Sequence, residues 1–182
     1  MSEMFSRRVF LRGLGVVAAA AALTACSSTN EAVNQALIEG AVGGIVATDC
    51  KIGRSRYWAA NATVPVNEIS FRIVMTNVSS KPVTLSGDNF ATTLDGTPIP
   101  PFNFSARDVG DADIWRTYDS LTIRPGEERS VALAYEISQS TYDSWYRSSR
   151  TVAVSFTCGN QRVTYTKNSR SDEITVSDIE TL

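Results

Sequence analysis

Three runs of this chain alternate apolar and polar side chains, and this alternation is the feature that most constrains its fold. In each run every second residue is apolar, and we call this set of positions the apolar parity. It comprises Ile69, Phe71, Ile73 and Met75 in the first run, Val131, Leu133, Tyr135 and Ile137 in the second, and Val152, Val154, Phe156 and Cys158 in the third. Successive side chains of a strand point to opposite faces, so a period of two indicates a strand that buries one face. The pattern predicts three core-facing strands.

Tight-turn dipeptides separate these runs. Asp95-Gly96, Pro125-Gly126 and Gly159-Asn160 supply the positive or fixed φ angles of tight turns. Weaker strands are expected at 46–52, 84–85, 90–94, 121–123, 162–165 and 173–176. No long run has the spacing of a crossover helix, which disfavours a parallel sheet. The sequence therefore predicts an all-β, antiparallel two-layer sandwich of about seven to nine strands over residues 45–182, although an even-spaced barrel gives a similar pattern.

The first 25 residues resemble an export signal. Arg7 and Arg8 are followed by Phe10 and Leu11, as in a twin-arginine translocation signal, and then by a mostly apolar stretch of thirteen residues, 13–25. A membrane-spanning helix needs about 20 residues, so this stretch fits a signal peptide and not a permanent span. By resemblance, the twin-arginine route carries proteins that have already folded in the cytoplasm.

The signal runs into a lipoprotein cleavage box. Leu23, Thr24, Ala25 and Cys26 resemble the bacterial lipobox, in which the cysteine thiol receives a diacylglycerol before cleavage. The resemblance implies an extracytoplasmic protein anchored to the membrane through acyl chains, such as palmitate, on Cys26. Residues 26–44 would then form a lipidated tether, with a possible short helix at 31–39. The alternative is an uncleaved N-terminal helix with a chance cysteine.

Removal of residues 1–25 leaves 157 residues, which fit one domain, with 14 basic and 18 acidic side chains and a net charge of −4. Nucleic-acid binding requires clustered Lys and Arg that displace counterions from phosphates. The mild acidity therefore argues against a nucleic-acid partner. We expect the soluble domain to be monomeric.

Two cysteines remain after Cys26. Cys50 and Cys158 form an even pair in a chain that is predicted to reach an oxidising exterior, so a disulfide between them is expected. Two buried free thiols are the alternative. A metal site is disfavoured because the chain has no histidine and no further cysteine to complete a zinc or copper shell.

Three segments carry a family resemblance. They read FRIVMTNVSSKPV (71–83), LDGT (94–97) and LTIRPGEE (121–128), and they combine strands with polar turns and a Pro-Gly-Glu step. They resemble a family of immunoglobulin-like domains of unknown function on bacterial surface lipoproteins, chiefly Gram-positive ones. The resemblance implies an immunoglobulin-like β-sandwich at the cell surface. It offers no catalytic residues and covers under half of the mature chain.

The absence of histidine excludes Ser-His-Asp and Cys-His nucleophiles and the commonest general base near neutral pH. No cofactor motif is present. The acid-rich segment 108–113, with Asp119, could offer oxygen ligands to calcium, but it lacks the EF-hand order and fits a solvated loop. A pair of carboxylates acting on glycosides stays open as an alternative.

Four side chains outside the alternating strands are candidates to contact a partner: Trp115, Trp145, Tyr146 and Arg147. Trp, Tyr and Arg dominate binding hot spots, although these rings could instead close the open ends of the sandwich. The sequence thus predicts a non-enzymatic, lipid-anchored binding module of the cell envelope, whose partner is an envelope protein or glycan. The alternatives are a structural envelope protein or transporter accessory subunit, and a carboxylate-dependent hydrolase or cofactor carrier.

Overall fold

The computed structural model describes residues 40–57, 63–101, 103–109 and 115–182. The predicted signal, the lipobox with Cys26 and the possible helix at 31–39 lie outside the described residues. Within these ranges the chain forms thirteen strands, one 3-10 helix and one α-helix. Their bounds are β1 Ile45–Tyr57, β2 Val66–Asn77, β3 Val83–Ser86, 3-10 helix Gly87–Asn89, β4 Phe90–Leu94, β5 Thr97–Ile99, β6 Asn103–Asp108, β7 Arg116–Thr117, β8 Ser120–Ile123, β9 Glu128–Glu136, α1 Gln139–Ser144, β10 Thr151–Cys158, β11 Gln161–Asn168, β12 Ile174–Val176 and β13 Glu180–Thr181.

The strands build two open antiparallel sheets and a short ribbon. Sheet 1 has the order β1-β2-β9-β6-β7, and sheet 2 has the order β12-β11-β10-β4-β5, with β13 beside β11. The ribbon pairs β3 with β8. The predicted all-β antiparallel sandwich is confirmed. Among the described residues, no helix has both the length and the apolar character to cross a bilayer.

The strand order is that of an immunoglobulin sandwich. In that fold, strands A, B, E and D form one sheet and strands C, F and G form the other. Here β1, β2, β9 and β6 take the places of A, B, E and D, while β4, β10 and β11 take those of C, F and G. The short strands β5, β7, β12 and β13 extend the sheet edges.

The core lies where the apolar parities of the three alternating runs meet. Phe71 on β2 and Phe156 on β10 are 0% and 1% exposed. Phe90 on β4 lies between them, with its ring centroid 6.1 Å from Phe71 and 5.1 Å from Phe156. Tilted ring pairs at these separations are favourable beyond the area they bury. This aromatic cluster occupies the middle of the sandwich, where antibody domains place a disulfide between strands B and F.

The predicted disulfide is wrong, because Cys50 and Cys158 are both free. The Cys158 thiol lies 3.8 Å from the carbonyl oxygen of Gly43, just before β1. Cys50 is five residues beyond Ile45 along β1, about 16 Å further at the rise of an extended strand. A disulfide holds its Cα atoms within about 7 Å of each other. Burial raises the pKa of both thiols, most strongly that of Cys50.

The predicted count of seven to nine strands was too low. Most of the additional strands have two or three residues, too few for an alternating pattern to be recognised. The longer omission is β6, Asn103–Asp108, whose inward positions hold Phe104 and the small Ala106. The sandwich also includes the end of the predicted tether, because Ala41 and Val42 are 5% and 3% exposed.

Candidate partner-binding surface

Helix α1 connects β9 of sheet 1 to β10 of sheet 2 and covers one end of the sandwich. Ser138 caps its N-terminus, accepting a hydrogen bond of 3.1 Å from the backbone N–H of Thr141. The Nδ2 of Asn67, on β2, donates to Oε1 of Gln139 at 3.1 Å and holds the helix against sheet 1. Trp145 follows the helix and is 3% exposed within the core. Trp145 therefore closes the end of the sandwich and is not available to a partner.

The next residue, Tyr146, is 62% exposed. The guanidinium of Arg54, on β1, lies 4.6 Å from the centroid of the Tyr146 ring and 4.3 Å from that of Tyr142. Arg54 also donates a hydrogen bond to the carbonyl oxygen of Tyr142. A cation above a ring face is attracted by the ring quadrupole, so Arg54 stabilises the exposed position of Tyr146.

Two more arginines surround the turn after α1. Nη2 of Arg147 donates to the carbonyl oxygen of Asp143 at 3.1 Å. Nε of Arg170, after β11, donates to the carbonyl oxygen of Tyr146 at 3.4 Å, and its Nη2 donates to that of Arg147. The last carbonyl groups of a helix lack partners within the helix and carry partial negative charge. Guanidinium groups satisfy several of those carbonyls here.

Among the described residues, these arginines have no acidic partner. Nearby, Arg56 pairs with Asp143 at 3.5 Å and Arg150 pairs with Asp95 at 2.7 Å. By contrast, no described carboxylate lies within ion-pair distance of Arg54, Arg147 or Arg170. The exposed Asp172 and Glu173 follow Arg170 along the chain and likewise form no ion pair in the described ranges. We call Arg54, Tyr146, Arg147 and Arg170 the Arg–Tyr surface.

Asp95 and Arg150 tie the base of this surface to sheet 2. Oδ1 of Asp95, in the turn between β4 and β5, accepts a hydrogen bond of 2.8 Å from the backbone N–H of Thr151. The side-chain hydrogen bond from Arg150, followed by that backbone bond, lowers the pKa of Asp95 below its usual 3.8. Nη2 of Arg150 also reaches Oγ of Ser144 at 3.3 Å. The segment carrying Tyr146 and Arg147 is thus braced on both sides.

Trp115 lies elsewhere. It is half-buried on the outer face of sheet 1, with the guanidinium of Arg72 at 5.6 Å and that of Arg107 at 5.0 Å from its ring. In the register, Arg72 on β2 and Ser105 on β6 both stand opposite Ala132 on β9, so small side chains leave room for a ring. The four predicted contact residues therefore divide into one on a sheet face, one in the core and two on the Arg–Tyr surface.

A cavity of about 170 Å³ opens beside β7, between Arg116, Tyr118 and Leu121. Arg129 also lines it, but that side chain pairs with the carboxylates of Asp108 and Glu127. Arg116 forms no ion pair with a described carboxylate, so the cavity keeps some positive charge, but it lacks an exposed aromatic ring like that of Tyr146. In the parts of the chain that the structure describes, no group of three or more acidic or cysteine side chains is placed to hold a metal ion.

The sequence identified Tyr146 and Arg147 but missed Arg54 and Arg170. One signal was available for Arg54, because it shares the parity of the buried Ile52. A charged residue on the inward-facing side of a strand indicates that the strand extends beyond the core at that point. Some other element then covers the charged side chain. No comparable signal exists for Arg170, which reaches the surface only because β11 returns beside β10.

No protein-family model matches the chain, and no curated protein matches it either. The family resemblance of residues 71–128 therefore stays a prediction. The solved structures that match the chain include the following three. An uncharacterized β-sandwich protein from Clostridium difficile 630 is 13% identical, with 73% of this chain and 82% of that chain covered and a TM-score of 0.39.

A protein from Archaeoglobus fulgidus is 12% identical over 74% of this chain and 98% of that chain, with a TM-score of 0.33. A functionally unknown protein from Listeria monocytogenes EGD-e is also 12% identical, over 64% of this chain and 78% of that chain, with a TM-score of 0.33. At this identity a likeness concerns the fold alone, so none of these proteins assigns an activity to the chain.

Proposed function

We propose that this protein is a non-enzymatic, lipid-anchored binding module of the bacterial cell envelope, and that it contacts its partner through the Arg–Tyr surface. Its anchor is the acylated Cys26, and the twin-arginine signal directs it out of the cytoplasm. The observation that carries the binding role is a solvent-exposed tyrosine surrounded by three arginines without carboxylate partners among the described residues. Arg and Tyr are enriched among residues that dominate binding energies.

The position of the surface supports this proposal. The described chain begins at Gly40, and Gly43 contacts Cys158 and Gln161 at one end of β10 and β11. The Arg–Tyr surface lies at the other end of β10, beyond Thr151. Eight strand residues separate the two ends by about 23 Å. A domain tethered at the Gly40 end presents the Arg–Tyr surface away from its anchor.

Local rigidity also favours a binding role. A contact surface loses less free energy on binding when its side chains are already held in place. Tyr146 lies between the buried Trp145 and the braced Arg147, and Arg54 contacts its ring. The surface is therefore ordered before any partner arrives.

Site-specific photo-cross-linking in intact cells tests the binding role. A photoreactive phenylalanine at position 146 should give a covalent adduct with an envelope component. The same residue at position 124, an exposed site on the turn before β9, is the control. Adducts of equal yield at both positions, or none at position 146, would contradict the proposed surface.

Anchoring is tested separately with labelled palmitate. The wild-type chain should incorporate the label, and Cys26→Ser should abolish incorporation and move the protein from the membrane fraction to the soluble fraction. Label that persists in Cys26→Ser would show that Cys26 is not the acylated residue.

A further inference from the structure

We infer that the Arg–Tyr surface binds an anionic glycan, that is, a saccharide chain of the envelope that carries carboxylate or phosphate groups. The inference rests on the proposed function and adds the ligand class to it. It is drawn from the charge, the exposed ring and the position of the surface.

The positive charge of the Arg–Tyr surface favours an anionic ligand. A guanidinium group has five N–H donors in a planar fork that matches the oxygens of a carboxylate or phosphate. Arg147 and Arg170 are exposed, and their hydrogen bonds to backbone carbonyls use only some of these donors. The guanidinium of Arg170 reaches the backbone carbonyls of Tyr146 and Arg147, so an anionic group bound at this turn has arginines from two segments of the chain close to it.

The ring favours a saccharide. An aromatic face carries partial negative charge, and the C–H groups on the flat side of a sugar ring carry partial positive charge. Tyr146 is 62% exposed and Arg54 covers one face of its ring, so a sugar ring can lie on the other face while its substituents reach the arginines. A bare inorganic anion would leave this ring unused.

The surface fits a protein partner less well. A stable protein interface buries about 800 Å² on each partner and has an apolar centre that is poor in charge. The exposed large apolar side chains in the described ranges are Val64, Val109, Tyr146 and Leu182, and only Tyr146 belongs to this surface. A lipid headgroup is disfavoured as well, because the chain enters the domain at the opposite end, beside Cys158.

The test uses the full lipoprotein purified from membranes in a nonionic detergent. Immobilised polygalacturonate and a phosphorylated dextran are the anionic probes, and unmodified dextran is the neutral probe. Arg147→Glu and Tyr146→Ala alter the surface. Arg124→Glu is the matched control, because it makes the same charge change on an exposed turn that contacts Asn77, which pairs with Ile45 at the start of β1. Thermal unfolding of each variant verifies that the domain stays folded.

We expect binding to at least one anionic probe and much weaker binding to dextran. Arg147→Glu should weaken binding about tenfold, as expected for the loss of one charge-assisted contact, and Tyr146→Ala should weaken it severalfold. Arg124→Glu should have little effect. Binding should fall as salt rises, because exposed charges are screened.

Equal binding to dextran, equal weakening by Arg124→Glu, or binding only to detergent micelles that contain phosphatidylglycerol would overturn the inference. Absence of binding to both anionic probes would also overturn it. If the cross-link from position 146 still forms in that case, the proposed binding role stands and only the ligand class is wrong. If the cross-link fails too, both proposals fall.

Discussion

Trp145 and Tyr146 are adjacent in the chain, yet the structure gives them opposite roles, and substitution of each by alanine should separate those roles. Trp145 is 3% exposed and Tyr146 is 62% exposed. A tryptophan side chain buries up to about 250 Å². Alanine would forfeit about 200 Å² of this, or about 5 kcal/mol at 25 cal/mol per Å².

Part of that area is already buried in a real denatured chain, which reduces the figure to about 3–4.5 kcal/mol. This agrees with the loss of about 3–5 kcal/mol usual for removal of a buried aromatic residue. For a domain of this size, the melting temperature should fall by about 12 °C. Tyr146→Ala removes an exposed contact between its ring and Arg54, so its cost should be about 0.5–1 kcal/mol.

Urea unfolding followed by circular dichroism measures both variants against the wild type. Trp145→Ala should lower the midpoint while leaving the slope of the transition unchanged, which identifies a true loss of stability. Trp145→Phe serves as the control, because it keeps a ring in the cavity and should cost less than Trp145→Ala. If Trp145→Ala costs under about 1 kcal/mol, or no more than Tyr146→Ala, the assignment of Trp145 to the core is refuted.

Three further outcomes are expected. Gly43→Ala should lower the free energy of unfolding by about 3 kcal/mol, because φ is +57° and the new Cβ would clash with the Cys158 sulfur. Gly126→Ala, at φ +74° with open space around it, should lower it by only about 1 kcal/mol. Equal losses for the two variants in urea unfolding would disprove the clash. Asp95→Asn should cost about 1 kcal/mol at neutral pH, an exposed-pair value. Because the folded-state pKa of Asp95 is lowered, its contribution to stability is complete above the unfolded value of 3.8 and is lost as the pH falls further. The unfolding curves of Asp95→Asn and the wild type should therefore converge in acid. A difference that persists there would contradict the ion pair. Reductant should leave the free energy of unfolding unchanged, whereas reduction of a disulfide would lower it by about 2–5 kcal/mol. Alkylation in denaturant should modify Cys50 and Cys158 without prior reduction.

Alternation predicted the sandwich because its strongest signals lie on the strands that build the core. Phe71 and Phe156 hold the correct parity in the sequence and meet through Phe90 in the structure. The pairing of Cys50 with Cys158 could not be tested by parity alone. Both cysteines face inward, but parity says nothing about position along a strand, and one lies at the end of β10 while the other is in the middle of β1.

The binding surface was only half predictable for a related reason. Tyr146 and Arg147 stand together in the sequence and could be noticed there. Arg54 and Arg170 come from β1 and from the turn after β11, and tertiary packing alone brings them to the same place. Their hydrogen bonds go to backbone carbonyls, which any sequence provides, so no complementary acidic residue signals the contact.

The free thiols and the predicted export route fit one physical account. A domain that is exported folded must reach its native state in the cytoplasm, where thiols stay reduced. An immunoglobulin sandwich that relied on a disulfide between its sheets would be incomplete at that stage. Here Phe71, Phe90 and Phe156 join the two sheets at the centre, and a fourth ring, Phe104, lies 6.2 Å from Phe90. Because ring packing does not depend on redox state, the sandwich needs no oxidation to fold before the predicted export, and its stability should be the same in reducing and oxidising surroundings.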